Sequence, residues 1–429
     1  MTSTSVLIRR GHVIDPANNI DRPMDLLLRE GRVAAITEPG GIKNKYDEEF
    51  DANHLIVAPG FIDLHVHLRE PGQSHKETIA TGTRAAAAGG FTAICPMPNT
   101  NPVNDSPEVT AWMMNPDRGA VVSVFPIAAA TISSAGEKLT NFRDLQRAGA
   151  VAVSDDGRPV LDDNLMREAL RAAARLELPI VQHAEDPRMH PGGSMNYSAT
   201  SLRLGLRGMT NASETSVVQR DIRLTRESRG HLHVAHISTA EALEAVRRAK
   251  KENLRVTAEI TPHHFTLLDE NVGHYDTNYK MNPPLRSAAD RDAMIAGLKD
   301  GTLDCIATDH APHAYHEKEQ EFDRAPFGIV GLETALPLAI TVLHQHFELP
   351  LTRIVQLMST NPARLFQFMH RGTLAVGAHA DVTVFDPKLR WKYETAAGYS
   401  KAQNTPFDGW EFTGKVMATI VGGKPVYLA

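Results

Sequence analysis

Two histidines one residue apart, His65 and His67, close a short apolar run. Four further residues with metal-binding or acid–base chemistry close comparable runs later in the chain: Asp156, His183, His236 and Asp309. Imidazole nitrogen and carboxylate oxygen are the donors that a divalent ion such as zinc accepts. Alternate residues of a strand point to one side, so His65 and His67 can address one ion together. With 20 histidines in the chain, a single His-x-His means little, and an isolated buried histidine is more often a hydrogen-bonded core residue. Four histidines and two aspartates at corresponding strand ends point instead to a metal centre. Most other histidines, among them His190, His231 and His233, read as ordinary core or surface residues, whereas His263 and His264, which close the seventh run, stay open.

The elements that must position these residues follow from the hydrophobic pattern. Eight short apolar runs end at 63–65, 93–96, 122–126, 150–154, 179–183, 232–236, 256–260 and 305–309. Amphipathic helical patterns lie between them, such as those starting at Asp163 and Thr239, which is the signature of parallel βαβ units. Eight such units predict an α/β fold, a (β/α)8 TIM-type barrel, and a barrel demands its chemistry at the C-terminal ends of its strands. The metal-type residues stand there. An open doubly wound sheet is the runner-up, but the chain lacks the glycine fingerprint of a dinucleotide site; Gly89-Gly90 reads as a helix C-terminus. Residues 1–58 and 372–429 alternate in the manner of short strands with tight turns, Glu30-Gly31 being one corner. The two ends are expected to meet in one small β-sandwich domain, with 59–371 forming the barrel.

A length of 429 residues suits that architecture, and 42% hydrophobic and 22% charged residues are ordinary for a globular enzyme. The net charge of -6 argues against nucleic acid as a partner. The most apolar stretches are too short to span a bilayer, and the first residues lack the layout of a secretory signal, so the cytoplasm is the expected location. Cys95 and Cys305 fall inside predicted strands and read as buried thiols in a reducing compartment.

Several separated segments now carry a resemblance. Gly60-Phe-Ile-Asp-Leu-His-Val-His-Leu-Arg-Glu-Pro-Gly72 resembles the metal-binding opening of the cyclic-amidase branch of the amidohydrolase superfamily. Met97-Pro-Asn-Thr-Asn-Pro102, Ser154-Asp-Asp-Gly157, Gln182-His-Ala-Glu-Asp186, Lys280-Met-Asn-Pro-Pro-Leu-Arg286 and Ala307-Thr-Asp-His-Ala-Pro-His313 narrow it. Together, in order and over nearly the whole chain, they resemble class I bacterial dihydroorotases.

The resemblance implies zinc, one or two ions per subunit, with His65 and His67 on one ion and His183 and His236 on the other. Asp156 would bridge them, in competition with Asp155, and Asp309 would be both a ligand and the catalytic acid/base. Many relatives bridge with a carboxylated lysine; here Lys138, the only lysine between Lys76 and Lys250, reads as a surface residue. The implied reaction is the reversible cyclisation of N-carbamoyl-L-aspartate to L-dihydroorotate in pyrimidine biosynthesis, through water activated by the metal.

On the substrate side, Arg69 lies two residues beyond His67, and its planar fork suits a carboxylate. Asn99 and His313 can complete that clamp with His67 beside it, and the resemblance adds Asn282 and the backbone of Phe327 and Gly328. The charged segment 314–326 reads as a solvated loop that could order over a ligand. Competing readings are another cyclic amidase (allantoinase or hydantoinase) and a non-catalytic scaffold for aspartate transcarbamoylase. The resemblance also leaves open a homo-oligomer and an active complex with that enzyme.

Overall fold

Short β-branched and apolar runs buried on both faces form parallel strands, and the computed structural model, which describes residues 5–429, is built around a ring of them. Phe61–Val66, Phe91–Pro96 and Ser123–Val124 form one parallel sheet. Ile127–Ala129, Ala152–Ser154, Pro179–Gln182, His231–Val234, Val256–Ile260 and Cys305–Ile306 form a second. The ring closes where the His67 N–H donates to His310 O at 2.8 Å, beside a parallel bridge between Val66 and His310.

The third strand departs from expectation. A single run ending at Pro126 was predicted; two pieces are found, separated by Phe125-Pro126. Proline has no N–H to give a ladder. Here the Phe125 N–H donates to Ile94 O (3.0 Å), Pro126 O accepts from the Val151 N–H (3.1 Å), and the strand passes from one sheet to the other.

Helices cover the outside of the ring. Asp163–Ala174 starts at Asp162, whose side chain accepts the Leu165 N–H, and it buries Met166, Ala169, Leu170 and Ala173, one stripe at helical spacing. Ile79–Ala88 ends at Gly89, with Gly90 at positive φ, as the glycine pair suggested. No helix among the described residues is long and apolar enough to cross a membrane. Cys95 and Cys305 are buried, unpaired thiols.

Both chain ends contribute to an eight-stranded sheet. Val6–Asp15, Ile20–Arg29, Arg32–Thr37, Glu48–Asp51 and Ile56–Pro59 come from the start, and Val382–Lys392, Glu411–Val421 and Lys424–Leu428 from the end. The ends meet where Ile56–Pro59 pairs antiparallel with Val382–Phe385, one residue before Gly60 leads into the barrel. Glu30 and Gly31 both take positive φ in the corner between two strands. The sheet folds over a core of its own, in which Ile8, Leu26 and Leu28 cluster with Val382, Val384 and Ala418. Between Lys392 and Glu411 the chain leaves this sheet, and residues of that excursion bond to the barrel.

Candidate active site

All six strand-end residues gather at one end of the ring, each within three residues of its strand's last residue. His67 Nε2 is 2.9 Å from Asp309 Oδ1 and 3.6 Å from Asp156 Oδ2. His65 Nε2 is 3.4 Å from Asp309 Oδ1 and 3.5 Å from Asp156 Oδ1. His183 Nδ1 and His236 Nε2 stand 3.6 and 3.7 Å from Asp156 Oδ1. The Asp156 carboxylate is therefore the common neighbour of all four imidazoles. Asp155 points elsewhere: it accepts the Thr131 N–H at 3.0 Å and the Thr131 hydroxyl.

The electrostatics follow from burying two carboxylates among imidazoles. Burial alone would raise Asp309, yet His65, His67 and His236 outweigh it and hold the carboxyl near 2. Burial likewise opposes ionisation of Asp156, but His65, His183 and His236 hold it well below its ordinary range. Burial works against protonated His183, and Asp156 with Glu185 overcomes it, raising the imidazole to about 10. His65 Nε2 and Asp156 Oδ1 are buried without a hydrogen-bond partner. Three residues here, Arg69 (φ 62°), His236 (29°) and Asp309 (47°), take backbone conformations that non-glycine residues seldom adopt. Such strain persists where surroundings impose it, and it concentrates at functional sites.

A cavity of about 310 Å3 opens over this cluster. His67, Arg69, Asn99, Asp156, His183, His236, Asn282, Asp309, His313 and Phe327 line it, while His65 lies fully buried beneath. Arg69 is buried; its Nε donates to Pro312 O at 3.0 Å, and Nη2 lies 3.3 Å from His313 Nε2. No carboxylate pairs with it among the described residues. Burial lowers it to about 10, against the pull of Asp309 and Asp156. His313 is held neutral, near 2, by burial and by Arg69, with Nε2 2.9 Å from Phe327 O. Asn99 bridges His67 Nδ1 (2.8 Å) and Asp156 Oδ2 (3.2 Å), and Asn282 Nδ2 donates to Glu185 (2.8 Å). Gly328 sits at φ +150°, where a Cβ would come 2.6 Å from Ala311 O, so only glycine fits. Its N–H donates to Lys280 O, and its carbonyl accepts from Lys318 and Asn404.

The segment 314–326 is a largely exposed loop, as its charges suggest, pinned to the protein at a few points. It forms a helical turn, Tyr315–Lys318, and buries Lys318, Phe322 and Ala325. Phe322 packs with Met195 and Val272, and Lys318 Nζ donates to Pro326 O at 2.9 Å. Phe322 and Lys318 pin the loop from within, and Glu317 ties it to Lys76 at 2.9 Å.

A family model described as dihydro-orotase-like matches residues 54–242. A curated dihydroorotase of Solibacter usitatus is 51% identical over 419 residues, covering 97% of each chain. One of Syntrophus aciditrophicus is 48% identical over 98% of this chain and 99% of its own. The chain belongs to the dihydroorotase family. Its fold is shared with an L-hydantoinase (dihydropyrimidinase) from Arthrobacter aurescens at TM-score 0.88, 24% identity, and coverage of 99% and 96%. The barrel with a terminal β-sandwich expected from the sequence is the fold of that neighbour.

Within this dihydroorotase family member, two acidic residues were missed by sequence reasoning. Glu259 is fully buried beneath His65, with Oε1 2.7 Å from His65 Nδ1 and Oε2 3.0 Å from His233 Nε2. Its signal was available: a lone acid inside the otherwise uncharged strand Val256–Ile260. Glu185, two residues past His183, holds His183 Nε2 at 2.8 Å and lies 3.2 Å from His190. His264 is satisfied by Thr261 and by Pro283 O, while His263 Nε2 is buried without a partner. His233 and His190, read as ordinary residues, support the cluster from one contact away.

Proposed function

We propose that this chain is a cytoplasmic, zinc-dependent dihydroorotase that interconverts N-carbamoyl-L-aspartate and L-dihydroorotate in pyrimidine biosynthesis. The observation that carries the substrate assignment is Arg69, a buried cation on the cavity wall without an anionic partner. An unpaired buried charge is costly, and a carboxylate-bearing substrate resolves it. A neutral hydantoin ring does not.

The donor set fits zinc: nitrogens and carboxylate oxygens converge in two groups, His65 with Asp156 and His236, and His65 with His67 and Asp309, and His65 Nε2 and Asp156 Oδ1 are buried and unpartnered. His65, His67 and Asp309 would hold one ion, His183 and His236 a second, with Asp156 shared between them. Zinc, when bound, supplies a Lewis acid that polarises the ring carbonyl and makes water a nucleophile near neutral pH.

The protein's own groups do the rest. Asp309, anionic at neutral pH, accepts the proton lost by the attacking water and delivers it to the leaving ring nitrogen. In the cyclising direction it takes the proton from the carbamoyl nitrogen as that nitrogen attacks the side-chain carboxylate carbon. It passes that proton to the oxygen that departs when the C–O bond breaks, which leaves as water with a second proton from solvent. Arg69 meets the substrate carboxylate with its planar fork, while Asn99 and His313 flank the same position. His67, Asn282, and the Phe327–Gly328 edge shape the ring pocket.

Turnover of dihydroorotate, carbamoyl aspartate, hydantoin and allantoin by the purified protein, with and without added zinc, tests the proposal. Dihydroorotate and carbamoyl aspartate should be turned over and hydantoin should not. Comparable hydantoin turnover, or activity unchanged after complete metal removal, would sink it.

A further inference from the structure

We infer that Asn404, carried by the excursion from the terminal sheet, is the positioning residue that sets the substrate-carboxylate clamp. The inference rests on the dihydroorotase reading above. Asn404 is buried, and its side chain spends both amide hydrogens and its oxygen on three backbone groups. Nδ2 donates to Ala311 O at 2.9 Å and to Gly328 O at 3.0 Å, and Oδ1 accepts the His313 N–H at 2.9 Å. Its own carbonyl accepts from the Val330 N–H at 3.0 Å.

These contacts join the two loops on which the clamp stands. Residues 311–313 carry His313 and give Pro312 O to Arg69 Nε; residues 327–330 give Phe327 O to His313 Nε2. Between the loops, backbone pairing supplies only the bridge of His310 with Ile329 and the Ala311 N–H to Ile329 O bond at 3.0 Å. Beyond that point Gly328 is held by its N–H on Lys280 O, and the spacing of Ala311 and His313 from it is set by side chains. The excursion that delivers Asn404 is itself anchored, because the Ser400 hydroxyl and Lys401 N–H donate to the buried carboxylate of Glu77. Glu77 stands 3.4 Å from His310, the neighbour of Asp309.

Removing the Asn404 amide leaves the His313 N–H and Ala311 O buried without partners. Buried backbone groups do not remain so, and the loops will shift to satisfy them. The metal-type cluster sits on strand ends and does not depend on these bonds. Asn404 therefore acts on substrate grip through His313 and Arg69, without touching substrate itself.

Steady-state kinetics on dihydroorotate, with metal content and circular dichroism, test this in Asn404→Ala, His313→Ala and the double variant. Asn404→Ala should raise KM about tenfold, lower kcat less than about threefold, and leave metal content at the wild-type level. In the His313→Ala background the same change should add less than about fivefold, because the route through His313 is gone and only that through Arg69 and Pro312 O remains. A KM within about twofold of wild type, or an effect that multiplies in full onto His313→Ala, overturns the inference. Should Asn404→Ala not fold, Asn404→Asp gives the same readout; it keeps the acceptor for the His313 N–H but sets an oxygen against two carbonyls. Loss of folding in both variants overturns it as well, since the residue then serves the fold. A wild type that turns over no dihydroorotate sinks the functional reading and this inference together; an active wild type with a silent Asn404 sinks only the inference.

Discussion

Glu259→Gln separates the geometry of the metal-type cluster from the chemistry above it. The Glu259 carboxylate takes three donors: His65 Nδ1 at 2.7 Å, His233 Nε2 at 3.0 Å and the His236 N–H at 3.2 Å. Burial alone would raise its pKa, but His65 and His233 more than compensate, so it stays ionised. By accepting from His65 Nδ1 it fixes the tautomer and leaves Nε2 facing Asp156 and Asp309. The amide has the same shape but no charge, and one of its two heads is a donor. His233 can adapt by switching tautomer, donating from Nδ1 to Thr257 Oγ1, which lies 2.9 Å away, and accepting the new N–H at Nε2. The stability loss of the metal-free protein should therefore fall at the low end, about 1 kcal/mol. Nothing restores the charge behind His65. Loss of a carboxylate behind a metal-ligating histidine weakens metal binding by about 10- to 100-fold, or roughly 1.4–2.8 kcal/mol. Dialysis against graded chelator with elemental analysis reads the affinity, and urea unfolding of the metal-free protein reads the stability. A chelator curve superimposable on the wild type would refute the reasoning.

Asp309→Asn should keep substantial metal yet lose about 10²- to 10⁴-fold in kcat in both directions; near-wild-type turnover rules out the acid/base role. Asp155→Ala should lose about 1–3 kcal/mol of stability through its Thr131 contacts and retain metal, whereas Asp156→Ala should lose metal. Elemental analysis showing the opposite pattern would move the bridge to Asp155. Arg69→Lys keeps the charge but not the fork, and should raise KM for dihydroorotate about tenfold or more; an unchanged KM removes Arg69 from the clamp. His231 is held neutral, near 3, by burial and by His233 and Arg255. As pH falls from about 6.5 toward 3, the unfolded chain gains a proton there that the folded chain refuses, so wild-type stability falls by up to about 1.4 kcal/mol per pH unit from this group. His231→Gln should flatten that slope in urea titrations between pH 4.5 and 7, and parallel slopes would contradict it.

The metal-type residues were legible because strand ends are a place that periodicity can locate. Apolar runs fix where a buried strand stops, and a barrel puts its chemistry at that stop, so His65, His183 and Asp309 could be found without a structure. Asp155 and Asp156 could not be separated by pattern, since both follow the same strand; only the direction of each side chain distinguishes them. The broken third strand was masked because Pro126 ends an otherwise good apolar run, and sequence does not say which neighbour each half will pair with. The segment 314–326 has the exposure its charges suggest, but composition does not say that Phe322 and Lys318 turn inward to anchor it.

The two halves of the site are held by different physics, and this decides what each mutation can reveal. The metal-type donors ride on ladder-bonded strands, and the buried acids Glu259 and Glu185 hold His65 and His183 from behind; changes there should register in metal affinity. The groups around Arg69 stand on loops with little backbone pairing, held by Asn404, Lys318 and Arg69 itself through carbonyls 311, 312, 326 and 328. Changes there should register in substrate affinity at constant metal content. The acids of the cluster all face imidazoles, which leaves Arg69 as the buried cation on this wall without a partner carboxylate. A neutral cyclic amide can use the first half of the site, but a substrate that also answers Arg69 must bring a carboxylate of its own.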